Sequence, residues 1–213
     1  MPADYSYTTE IIENLEKSIS SERFSTYLNE TNGDKEEALQ LYWWNSKVSA
    51  EFYIPLQGLE ITLRNSLHRV CTDHFGTENW YETAPLDRVG ADLVDKAKRK
   101  VQRLHQTITP PHVVAELSFG FWLSLLNRQY HQSFWIPFLH KACPHASKPR
   151  ADIHRTLDHL RLFRNRIAHH EPIFSRHLAE DYQSIMTTVS WVCPITADWI
   201  DHHNNVVEAL TSR

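Results

Sequence analysis

Cysteine, glycine and long apolar runs are all in short supply in this sequence, and each shortage closes off a class of protein. The three cysteines, Cys71, Cys143 and Cys193, are odd in number, widely spaced and free of any C-x-x-C pair. A zinc ribbon or disulfide framework is thereby excluded, and a reducing cytoplasmic setting is expected. Only 5 glycines occur in 213 residues, and the β-branched residues do not alternate, so strand and hairpin signals are nearly absent. The expected fold class is therefore all-α, a helical bundle with additional helices. Met1-Pro2-Ala3-Asp4-Tyr5-Ser6-Tyr7 has neither a basic start nor an apolar run, and no later segment is long and apolar enough to span a bilayer, which argues against a leader and a membrane partner. Internal repeats and low-complexity tracts are missing too.

What is present is enough for a core. With 41% hydrophobic residues, the chain needs neither a cross-link nor a metal to stay folded, and one helical domain over residues 1–213 is expected. No cofactor is expected. The net charge of −4 conceals an asymmetry: residues 1 to 95 hold 7 Lys and Arg against 17 Asp and Glu, whereas residues 96 to 166 hold 13 against 3. Two readings stand. The basic middle is a phosphate-binding footprint, or the acidic flanks fold against it and neutralise it.

Along the chain, Phe24, Tyr27 and Leu28 mark a short helix from Ser21, which Gly33-Asp34 breaks and recaps. A long helix follows from Asp34 through Ala38, Leu41, Tyr42 and Val48, with Trp43 and Trp44 in the core, and Pro55 kinks or divides it. After Pro55, the residues Leu56, Leu59, Leu63, Leu67 and Val70 form an apolar stripe edged by Glu60 and Arg64, with His68 exposed. Glu60 either pairs with Arg64 one turn on or supports Arg164 on a neighbouring helix. Trp80 and Tyr81 fall in a turn-rich connection. Leu86, Val89, Leu93, Ala97, Val101 and Leu104 then define an amphipathic helix whose other faces carry Lys96, Lys98, Arg99, Lys100 and Arg103, a candidate contact for an RNA backbone. After Pro110-Pro111, the run from Ser118 leads into an apolar helix through Leu126, with Gly120 read as a close approach or a special backbone angle. Residues 137 to 149 read as loop. Short helices around 178 to 189 and 194 to 210 cover the core.

The most chemically loaded stretch runs from Leu160 to Pro172. Ile153, Leu157, Leu160 and Ile167 make one apolar stripe of a helix, and Arg164 falls on that stripe, where a long cation needs a partner or a purpose. Asn165 and His169, at i and i+4, share another face with Leu162. Pro172 disfavours helical geometry at Glu171, which puts His169 and His170 at the C-terminal end of the helix. A set of His169, His170, Glu171 and His177 has metal-ligand residue types but lacks the H-E-x-x-H spacing.

The run Arg164-Asn165-Arg166-Ile167-Ala168-His169 resembles the R-N-x-x-x-H form of the motif of HEPN domains, and its continuation through Glu171, Pro172 and Ile173 is similar to the Abi-like branch, named for phage abortive infection. Leu41-Tyr42-Trp43-Trp44-Asn45, Leu59-Glu60-Ile61-Thr62-Leu63-Arg64-Asn65 and Leu117-Ser118-Phe119-Gly120-Phe121-Trp122 extend the resemblance, in order, over about residues 20 to 200. It implies an all-helical fold, a dimer and, in many members, metal-independent RNA cleavage with the arginine and histidine at the active site. A toxin-like or defence role, with an antitoxin or neighbouring defence protein as partner, belongs to the same implication.

The expected catalytic group is thus Arg164 on the phosphate, His169 as acid or base, Asn165 as orienting partner, and His170 as the alternative imidazole one residue on. Glu60 and Arg64 support them, and Lys98, Lys100, Arg103, Arg161 and Arg166 are the expected RNA contacts. The second reading is a non-catalytic RNA- or nucleotide-binding module. Five residues apart, Arg164 and His169 point about 140° from each other on an ideal helix. A symmetric homodimer through the Leu162, Asn165 and His169 face, with a composite cleft, would relieve that mismatch.

Overall fold

Eleven α-helices and no strand make up the residues described by the computed structural model, 5–104 and 107–212. The fold is all-α. Residues Met1 to Asp4, four of the seven read above for a leader, lie outside the described residues. The N-terminal helices are α1 (Thr9–Ile19), α2 (Ser21–Glu30), α3 (Lys35–Glu51) and α4 (Tyr53–Phe75). In the middle come α5 (Arg88–Arg103), α6 (Pro110–Glu116) and α7 (Phe119–Ser124), and α8 (Arg150–Ala168), α9 (Leu178–Val192), α10 (Pro194–His202) and α11 (Val206–Thr211) complete the chain.

Local chemistry sets the boundaries that matter for the site. Asp34 caps α3 by accepting from the N–H groups of Glu36 and Glu37, after Gly33 has turned the chain at φ +88°. The division expected at Pro55 falls at Phe52, and Pro55 sits in the first turn of α4, where a missing N–H costs no helical hydrogen bond. Phe52 is fully buried and meets Phe163 of α8 edge to face, ring centres 4.9 Å apart. That contact pins the α3–α4 corner against the last turns of α8. The stripe Leu56, Leu59, Leu63, Leu67 and Val70 is buried as the periodicity requires. α4 packs along α9 and receives α10 beside Gly58, where a Cβ would lie 2.3 Å from Ile200 Cδ1. One continuous core runs from Phe24 to Ala209.

Several expectations need correction. His68 is half-buried, and its Nδ1 accepts from Trp80 Nε1 at 3.0 Å. Trp80 itself is fully buried. Trp44 is in the core but Trp43 is 37% exposed under Lys47, because adjacent residues lie about 100° apart on a helix and cannot share one face. On α5 the buried face is Gly90, Val94, Ala97 and Val101, while Val89 and Leu104 are exposed. Gly120 has only ordinary contacts and needs no special angle; Gly58 is the close approach. Residues 137 to 149 include a 3-10 turn, Leu139–Ala142, whose end residues Leu139 and Ala142 are buried while His140 and Lys141 are exposed. α9 is a core helix rather than a cover, and α1 carried no reading from the sequence.

Candidate functional site

The C-terminal turns of α8 lie against α3 and α4, and α1 and α2 close the opposite side, leaving a cleft of about 1040 Å³. α4 contributes Tyr53, Gln57, Glu60 and Arg64, spaced to lie on one helix face, and α8 contributes Arg164 and Ile167. Glu60 Oε2 stands 3.3 Å from Arg164 Nε, so the carboxylate pairs across helices. Arg64 Nε instead donates to Asn65 Oδ1 at 3.2 Å. Both members of the Glu60–Arg164 pair are partly exposed, so the pair orients the guanidinium more than it stabilises the fold.

α8 ends in a built stop. The N–H of His170 donates to Ile167 O at 3.0 Å and the N–H of Glu171 to Arg166 O at 2.8 Å, the two bonds of a Schellman cap. The left-handed position of that cap, usually glycine, is His170, at φ +56°. The turn carries His170 to the cleft lining, together with Arg164. His170 O accepts from Arg23 Nη1 of α2 at 2.7 Å. Beyond it, Ile173 N donates to Asn45 Oδ1 at 2.7 Å, and Arg176 donates to both oxygens of buried Asp181 at 2.8 Å while lying over the Phe163 ring. The return segment after the helix is thus fastened at three points.

The expected site residues separate into two groups. Arg164, Glu60, Arg64 and His170 line one cleft. His169 and Asn165 do not line it: His169 is exposed, its N–H donating to Asn165 O at 2.9 Å, and Asn165 is half-buried. Within one chain the imidazole that joins Arg164 is therefore His170. Among the expected RNA contacts, Arg161 donates twice to Asp158, Arg166 donates to Pro172 O and faces Glu171, Lys98 pairs with Glu82, and Lys100 pairs with Glu116 at 2.5 Å. Arg103 is exposed at the end of α5. No residue of α5 lines the cleft, and the pairing of Lys98 and Lys100 favours the neutralising reading of the basic middle at those positions.

Sequence reasoning missed Arg23, Tyr27, Tyr42, Asn45 and Tyr53, which come from the facing helices. Burial pushes the Tyr27 phenol up to about 12, so at neutral pH it is a hydroxyl and not a base. Among the described residues no three His, Cys, Asp or Glu side chains converge as a metal-ligand group, and no helix is long and apolar enough to cross a membrane.

Fold and cleft together define an all-helical protein with an open groove that offers three guanidinium groups, one carboxylate and one imidazole. That donor set suits an extended anionic ligand carrying phosphate. Neither a family model, a curated protein nor a solved structure matches this chain.

Proposed function

We propose that the protein is a metal-independent endoribonuclease of the HEPN type, acting on single-stranded RNA in a toxin-like or phage-defence role. The observation that carries the reading is Arg164, held by Glu60 on the cleft wall with His170 at the lip formed by the end of the same helix. Arginine binds a phosphodiester through a fork of donors and strengthens that hold as charge grows on the equatorial oxygens. A neutral imidazole takes the proton of the 2′-hydroxyl, O2′ attacks phosphorus, and the bond from phosphorus to O5′ breaks as O5′ is protonated. The products are a 2′,3′-cyclic phosphate and a free 5′-hydroxyl. His170 is the imidazole on the cleft side. A second copy's His169, brought in by pairing through the exposed α8 face, would serve as the acid. The groove's volume of about 1040 Å³ suits a short stretch of single strand.

The test is purified protein with single-stranded RNA in excess EDTA, beside Arg164→Ala, His170→Ala and His169→Ala variants. Expected are cyclic-phosphate ends from wild-type protein and a loss of at least about 100-fold in Arg164→Ala and His170→Ala, the scale of one acid-base or charge-stabilising group. Binding without cleavage by any of the four would establish the non-catalytic module instead. Activity that appears only with an added divalent ion would overturn the mechanism.

A further inference from the structure

Besides its cations, the cleft lining carries Tyr27, Tyr42, Tyr53 and Asn45, groups of a different chemistry. Tyr53, on the first turn of α4, is 64% exposed at the rim. Tyr42 of α3 lies in the same wall and meets the buried Tyr27 ring edge to face at 5.1 Å. Between Tyr53 and Glu60 the helix advances seven residues, about 10 Å at the rise of an α-helix. That separation exceeds what a phosphate needs and is of the order of one nucleotide from phosphorus to base.

Asn45 gives this wall a direction. It is only 5% exposed and lines the cleft. A backbone N–H can only donate, so the Asn45 atom that meets Ile173 N at 2.7 Å is the amide oxygen. With its oxygen turned to the Ile173 N–H, the side chain presents its NH₂ donors as the group for a ligand. The same hydrogen bond fixes the amide plane, so the donor cannot be exchanged for an acceptor by a flip without orphaning the Ile173 N–H.

We propose that the α3–α4 wall is a nucleobase subsite, in which the base next to the Arg164-bound phosphate stacks on the exposed tyrosine and presents the group at its 4-position to the Asn45 amide. Uracil, which offers an acceptor where cytosine carries an amino donor, is favoured over cytosine. The proposal rests on the reading of the cleft as an RNA site, but it is tested by binding alone.

The experiment is calorimetric or fluorescence titration of the full chain with UMP, CMP, ribose 5-phosphate and inorganic phosphate. Wild-type protein is expected to bind UMP about fivefold more tightly than CMP, the worth of one net hydrogen bond, and both more tightly than ribose 5-phosphate. Asn45→Asp keeps an oxygen for the Ile173 N–H and turns the remaining group from donor to acceptor, so the uracil preference should vanish or reverse. Tyr53→Ala, at an exposed rim position that leaves the fold intact, should weaken both nucleotides about tenfold and leave ribose 5-phosphate unchanged. Nucleotides that bind no better than ribose 5-phosphate, with Tyr53→Ala without effect, would overturn the subsite even if RNA is cleaved. Base-selective binding by a protein that cleaves no RNA would retain the subsite and remove the nuclease.

Discussion

His68 shows how one side chain can be misread from its position and then makes a prediction of its own. On the helical repeat it lies off the apolar stripe of α4, and only the fold brings Trp80, twelve residues on, over its ring nitrogen. Burial holds the imidazole below its ordinary pKa of 6.5, and His154 is lowered in the same way. As pH falls through the ordinary value, the unfolded chain takes protons that the folded chain refuses, so stability declines until the folded pKa is reached and is level below it. The urea midpoint should therefore be lower at about pH 5.5 than at about pH 7.5. His68→Gln, which still offers Trp80 an acceptor but does not titrate, should show a shallower decline. An identical slope in the variant would clear His68 of any part in it. Pairings of this kind were illegible because the partner sits on another element; Asn45 with Ile173 and Arg23 with His170 belong to the same class.

Helices were the legible level, since a stripe is a local property and burial enforces it. The α8 stripe holds at Ile153, Leu157 and Leu160, yet the next buried position is Phe163, while Ile167 is only half-buried at the cleft. This one-residue slide along the helix moves Arg164 from the core line to the groove. The end of α8 was legible from Pro172, but not the handedness of the turn that ends it. A β-carbon in the left-handed region costs about 1 kcal/mol, and here the position carries an imidazole. His170→Gly should therefore raise the stability of the protein by about 1 kcal/mol and abolish RNA cleavage, opposite signs read by urea melting and by the cleavage assay on one sample. A variant both less stable and fully active would refute the account of the cap.

At the level of the whole molecule, the face left over on α8 is the informative one. Leu162 is 51% exposed beside half-buried Asn165 and exposed His169. Pairing of two copies through that face would cover the leucine and bring the motif histidines together. Sedimentation across a concentration series should give a dimer for wild-type protein and a monomer of equal helicity for Leu162→Glu, with cleavage lost in the variant. Wild-type protein that stays monomeric and fully active would end the composite-site idea. The all-α class was readable from missing strand signals; the cleft was not, because its walls are contributed by residues 18–64 and 164–170, and no local pattern joins them. That separation also sets a timetable. The Arg23–His170 contact bridges 147 positions of chain, so at about 5–20 residues per second of synthesis the N-terminal wall waits on the order of 10 s for its partner. A nascent chain thus carries no assembled groove while it is still short of α8, and a protein of the proposed activity would leave the ribosome and its message uncut until the last third of the chain had folded back.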